Sequence, residues 1–142
     1  MNALDIGLRA ALVADSGTGG VAALATGGIH QQDAPEKTVE PYVIFQEASN
    51  DPTYAFGNAL QADHFFYLIR AVAADANESG PVTVAKIADR LKTLLTNPSL
   101  SVSGKTLLSC RFDRSYPPLR ERDEVNQRNV YVRGILAELW VA

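Results

Sequence analysis

His30, His64 and Cys110 are the side chains with the most direct chemical uses in this sequence. The two histidines do not sit at the spacing of ligands on one helix, and no carboxylate pair stands beside either. A metal site would need distant positions to converge. His64, at the start of a strand, reads as a rim residue. Cys110 is the only cysteine, which excludes an internal disulfide and a cysteine-cluster metal site. Its setting, Leu107-Leu108-Ser109-Cys110-Arg111-Phe112, is strand-like. A small buried hydrophobe suits it better than a nucleophile. Ser16-Gly17-Thr18-Gly19-Gly20 has the composition of a phosphate-cradling loop, yet lacks the lysine and the strand-loop-helix order. Gly104-Lys105-Thr106 copies the end of that motif, with no glycine five residues earlier and no helix expected after it. No serine sits in a nucleophile elbow. The sequence thus predicts no catalytic residue, no metal and no cofactor.

The 142 residues suffice for one domain, 1–142, with one sizeable core. Hydrophobic residues make up 46% and charged residues 20%, close to an average folded domain, which argues against wholesale disorder. The net charge of −3 shows no electrostatic footprint for nucleic acid, so no sequence-specific nucleic-acid binding is expected. Residues 1–13 carry Asp5 and Arg9 inside the only candidate apolar stretch, too polar for a secretion signal. No apolar run approaches the roughly 20 residues of a bilayer span, so no membrane partner is expected. With one cysteine, these features fit synthesis in the cytoplasm.

The elements that would position any site follow from periodicity. Asn2 can cap a helix over 3–14, with Leu4, Leu8, Ala11 and Leu12 as its buried stripe. The glycines at 17, 19 and 20 end it. Residues 21–25 are short and ambiguous, one helical turn or two, and 29–31 could form a short edge strand. The sequence Pro41-Tyr42-Val43-Ile44-Phe45 opens a strand over 42–48. Ser49-Asn50-Asp51-Pro52 is a turn signal, and 53–62 reads as an extended, partly exposed loop or an outlying hairpin tip.

A second strand covers 63–75. Phe65, Tyr67, Ile69, Ala71 and Ala73 point one way; His64, Phe66, Leu68, Arg70 and Val72 point the other. Both faces are largely apolar, so both need a cover, either the helices and loops of this chain or a second subunit. Residues 77–81 read as a loop. Thr83 would cap a helix over 84–96 with Ile87, Leu91, Leu94 and Leu95 on one face, stopped by Asn97-Pro98. Strands are expected over 100–102 and 104–115, with a bend at Ser103-Gly104. Tyr116-Pro117-Pro118 breaks the pattern, and the mixed charges of 120–124 read as a solvated, flexible loop. A last strand over 129–141 puts Val130, Val132, Leu136 and Trp140 on one face, and Tyr131, Ile135, Leu139 and Val141 on the other. The predicted class is α+β: an antiparallel sheet of about four strands with two main helices packed on one face, in the order α-β-β-α-β-β.

The Pro41–Phe45 strand, the Asp51-Pro52 turn, the long apolar strand of residues 65–74 and the amphipathic helix with Ala88-Asp89 form a pattern. It resembles the tail completion, or tail-terminator, family of long-tailed bacteriophages, also described as head–tail joining proteins. The resemblance runs from about Leu4 to Leu139 and is strongest in the first half. The stretch 16–28 is longer than the family pattern, and the break at 116–118 with its charged loop does not map onto it. The resemblance implies a structural virion protein of the tail and neck, made in the host bacterial cytoplasm. It also implies a homo-oligomeric ring, usually of six subunits, that caps the tail tube and meets the head-side connector. Its partners would be the tail tube protein and the connector protein.

A closed ring needs two different complementary patches on each subunit. The loops 53–62 and 113–128 are candidates, and with them Tyr54, Phe56, Arg120 and Arg122. Arg70 and Arg133 interrupt apolar strand faces, where an arginine either pairs across an interface or points to solvent; the solvent reading is slightly favoured. Two other functions remain open at this level. One is a connector or tube subunit. The other, of a different class, is a small α+β enzyme or ligand-binding domain using a cleft beside His64 and Arg70.

Overall fold

The computed structural model describes residues 2–35, 38–54, 60–74, 80–96, 100–124 and 128–142. Helix α1 is Ala3–Ala14 and the one-turn helix α2 is Val21–Leu24. Strands β1, Ile29–Gln31, β2, Tyr42–Tyr54, and β3, Leu60–Ala74, follow. Helix α3 is Gly80–Thr96, and β4, Leu107–Ser115, β5, Leu119–Asp123, and β6, Arg128–Val141, complete the fold.

Helix α1 begins as its sequence demands. The Asp5 amide donates to Asn2 Oδ1 at 2.8 Å, and the Asn2 amide donates back to Asp5 Oδ2 at 3.0 Å. This reciprocal box satisfies two of the donors that a helix start leaves orphaned. Leu4, Leu8 and Leu12 are buried, while Ala11 is only half-buried. Helix α3 buries Val84, Ile87, Ala88, Leu91 and Leu95 at helical spacing. It starts earlier than expected, at Gly80, so Thr83 lies inside it and caps nothing. Pro81 falls in the first turn, where its missing N–H removes no helical hydrogen bond. The helix ends at Thr96; its expected stop, Asn97-Pro98, lies outside the described residues.

Among the described residues the sheet has six strands in the order β1-β2-β3-β6-β4, with β5 also on β6. All pairs are antiparallel except β1 with β2. Strand β6 is long enough to carry two partners on one edge: β4 along its C-terminal half and β5 along its N-terminal half. All three helices lie on one face. Leu4, Leu8 and Leu12 of α1, Val21 of α2 and the α3 stripe form a single core. The sheet contributes Val43, Phe45, Tyr67, Ile69, Ala71, Ile135, Ala137 and Leu139 to it.

Several expectations are corrected. Among the described residues the sheet has six strands rather than about four, and the element order is α-α-β-β-β-α-β-β-β. The predicted turn at residues 49–52 is strand. A bulge at Ala48 shifts the register, and Ser49 to Tyr54 then pair with Phe66 to Leu60 of β3. Pro52 is tolerated because β1 pairs only as far as Phe45, which leaves that part of β2 on the sheet edge. Residues 100–102 are not a strand; Val102 instead buries itself, and the chain turns through Gly104 at φ +71°. The charged run 120–124, read as a flexible loop, is mostly β5. The long edge of β6 pairs its backbone while its side chains stay largely exposed.

Candidate assembly interface

Among the described residues, the second face of the sheet carries no helix. Alternation along the strands puts Tyr42 and Ile44 of β2, Phe66, Leu68, Arg70 and Val72 of β3, and Val130, Val132, Leu136 and Trp140 of β6 on it. Val72, Val130 and Val132 are buried against Tyr42 and Ile44 in a small second cluster. Further along, Phe66, Leu68, Leu136 and Trp140 are only half-buried. The expectation of two apolar faces is thus met, and among the described residues helices cover one of them.

In the middle of the bare face lies a trough of about 320 Å³ lined by Leu68, Arg70, Tyr116, Leu119, Val132 and Leu136. Its floor is Gly134, the cross-strand partner of Arg70. A side chain at 134 would lie 3.3 Å from Leu68 Cδ1 and 3.5 Å from Tyr116 Cδ2. The corner at Tyr116-Pro117-Pro118, which carries the chain from β4 to β5, forms one wall. The Tyr116 amide donates to the Gly134 carbonyl at 2.8 Å and fixes that corner over the sheet. Glu121 stands at the rim, while Leu119 and Tyr116 remain 55% and 39% exposed. Large apolar side chains at this exposure, next to a concave apolar floor, mark a surface built to be covered.

Arg70 is half-buried in this trough, and among the described residues its buried Nε has no hydrogen-bond partner. It is not the plain solvent-facing residue that the sequence suggested. A buried guanidinium N–H without an acceptor is unfavourable, and a docking partner can supply the acceptor.

Toward the other end, the face turns polar. Glu138, buried inside β6, contacts Arg111 of β4, whose Nε donates to Glu138 Oε2, and His64 of β3 at 2.6 Å. Burial pushes the Glu138 carboxyl up, but Arg111 and His64 outweigh it and hold it below the ordinary value. His64 is therefore no rim residue; it stacks on Trp140 and belongs to an ion-pair cluster. Sequence reading missed Glu138. The signal was an acid between Leu136 and Trp140 on one face of an otherwise apolar strand.

Arg120, Arg122 and Arg133 do not line the trough. Arg133 projects toward the helical side, and its Nε donates to Ser115 Oγ at 3.3 Å. Arg120 and Arg122 sit on the outer strand β5, exposed, opposite Tyr131 and Asn129. Tyr54 ends β2, and Phe56 lies outside the described residues. Cys110 is half-buried in β4 and packs on the core; burial pushes its thiol up to about 11, the opposite of an activated nucleophile. His30 is within 3.0 Å of the Gly27 carbonyl, a local structural bond.

The sequence profile of the family described as tail completion protein gp17 matches residues 7–133, from the first helix into the last strand. The chain belongs to the tail completion protein gp17 family. A tail completion protein is a structural component of phage tail assembly and not an enzyme, which agrees with the absence of a catalytic constellation in the sequence. A search of curated proteins finds no match. Among solved structures, a chain from the virion of a native gene transfer agent particle has a similar fold, with a TM-score of 0.65 and 18% identity. The likeness covers 99% of this tail completion protein and 98% of that chain. A second solved chain is similar over 95% of this one and 94% of its own length, with a TM-score of 0.50 and 15% identity.

Proposed function

We propose that this protein is a tail terminator: a ring of identical subunits, six by resemblance to the family, that caps the tail tube and joins it to the head-side connector. The observation that carries this reading is the bare apolar face of the sheet, with the unpartnered Arg70 Nε in its trough. A structural protein of tail assembly has to bind copies of itself or its neighbours in the particle. Among the described residues this face carries no helix, and its apolar trough is concave. The gene transfer agent chain of similar fold comes from an assembled virion, which supports a place in the particle for this protein too. Arg70, Arg120, Arg122, Arg133, Tyr54 and Phe56 are proposed contact residues. The hairpin of β2 and β3 and the outer strand β5 would then meet the tube protein, the connector protein or the adjacent subunit.

Electron microscopy of the purified full chain, alone and mixed with tail tube protein, tests the reading. Rings of constant diameter that stop tube growth are expected. Long cylinders formed by the chain itself would instead make it a tube subunit. Particles that remain single and leave tube growth unaffected would overturn the proposal.

A further inference from the structure

We infer that the trough receives helix α1 of the next copy, whose outer stripe of Ile6, Arg9, Ala10 and Val13 seats in it with Arg9 against Glu121. The inference rests on the ring reading and names the two patches that a ring requires. The stripe is the outward side of α1. Its residues recur at helical spacing and all are exposed, with Ile6 at 56% and Val13 at 43%. Two large aliphatic side chains thus stand on the solvent side of an otherwise well-patterned helix.

The dimensions agree. Ile6 and Val13 lie about 10 Å apart along the helix axis. The β6 side of the trough runs from Val132 to Leu136, a length of about 14 Å. The charges also agree. Arg9 on the stripe and Glu121 on the rim each stand outside any ion pair among the described residues.

The placement of the patches decides the symmetry. Helix α1 packs on one face of the sheet and the trough opens on the other. A pair of copies cannot satisfy both patches about a two-fold axis. Each copy offers its helix to one neighbour and its trough to the other, the head-to-tail arrangement that closes into a ring.

A charge swap tests it. Wild-type protein, Arg9→Glu, Glu121→Arg and the double variant are compared by size-exclusion chromatography with light scattering. Circular dichroism checks the fold, which these exposed positions should leave intact. Each single reversal is expected to weaken assembly by about tenfold or more, and the double variant to recover most of it. Ile6→Lys should also weaken assembly, whereas Val82→Lys, at an exposed apolar residue off the stripe, should not. Rings that are indifferent to both single reversals, or a double variant no better than the worse single, would overturn the pairing and leave the ring reading standing. A wild-type protein still monomeric at concentrations on the order of 100 μM would overturn both. If Leu136→Asp leaves rings whole but abolishes their binding to tail tubes, another tail protein fills the trough and the pairing falls.

Discussion

His64 lies flat against Trp140, ring centroids 4.0 Å apart and planes within 6°, while its Nε2 stands 2.6 Å from Glu138 Oε1. The two rings are cross-strand partners on β3 and β6, so the stack ties the centre of the sheet together on its bare side. Glu138 is held from both flanks, by His64 on β3 and by Arg111 on β4, and three strands share one buried carboxylate.

This arrangement makes stability acid-sensitive. The Glu138 carboxyl is depressed in the folded chain relative to its ordinary value of 4.5. Its contribution is therefore full above about pH 4.5 and is lost as pH falls through the lower folded value. Glu138→Gln should be less stable than wild type at neutral pH, by about 1–3 kcal/mol, because the Arg111 guanidinium loses its counter-charge. The gap should narrow below pH 4.5. Urea midpoints measured from pH 3 to 7 check this; a constant gap across that range would contradict it.

Tyr67 and Asp5 meet in the core. The Tyr67 hydroxyl donates to Asp5 Oδ1 at 2.7 Å, and both side chains are buried. Asp5 also closes the α1 cap, so this one bond fastens the helix start to the central strand. Burial first, and then the Asp5 carboxylate, raises the Tyr67 phenol far above its ordinary value of 10.0. The folded state thus holds its proton where the unfolded chain would release it, and stability falls as pH rises past about 10. Tyr67→Phe is expected to cost about 1–3 kcal/mol at neutral pH and to flatten that alkaline loss. Thermal melts at pH 7 and pH 10.5 give both numbers.

Asp15 joins three helices. It follows α1, accepts the Val21 amide of α2 at 2.8 Å, and takes two bonds from Arg90 of α3, at 2.8 and 2.6 Å. The Arg90 hydrogen bond is the main cause holding its carboxyl below the ordinary value, against the upward push of burial. Asp15→Ala should lose about 1–2 kcal/mol, mostly from the freed Val21 amide and the lost bidentate pair. Asp15→Asn should lose less, since it keeps an oxygen for Val21. Denaturant titration of the two variants ranks them; equal losses would show that charge alone matters.

The parts of the fold legible in the sequence are those whose pattern is local. Asn2 and Asp5 spell the α1 cap three residues apart, and Ile87, Leu91 and Leu95 spell the α3 stripe. The two faces of β3 follow from strict alternation. What was illegible depends on distant partners. Ser49-Asn50-Asp51-Pro52 carries every local mark of a turn, yet the long β3 strand draws it into the sheet and a bulge at Ala48 absorbs the mismatch. Leu119–Asp123 is charged because its side chains face water, but β6 supplies the backbone bonds that make it a strand. The trough was half legible: the apolar bare face was readable, but the Tyr116-Pro117-Pro118 corner that walls it looked like a mere break.

Gly7 offers the sharpest test of how α1 is seated. Alanine normally stabilises a helix interior over glycine by about 1 kcal/mol. At this position a Cβ would stand 2.5 Å from the Ser101 carbonyl oxygen. The neighbour is backbone, held in place by the buried Val102 beside it, so it cannot swing aside as a side-chain tip could. Relief requires α1 to move off the segment between α3 and β4, which disturbs the packing of Leu4 and Leu8 on the core. Gly7→Ala should therefore destabilise by about 1–3 kcal/mol despite its better helix propensity. Gly17→Ala, with no atom within 4 Å of its new methyl, should stay within about 0.5 kcal/mol of wild type. Paired thermal melts read the difference; a Gly7→Ala protein as stable as Gly17→Ala would mean that α1 does not rest on Ser101 in solution.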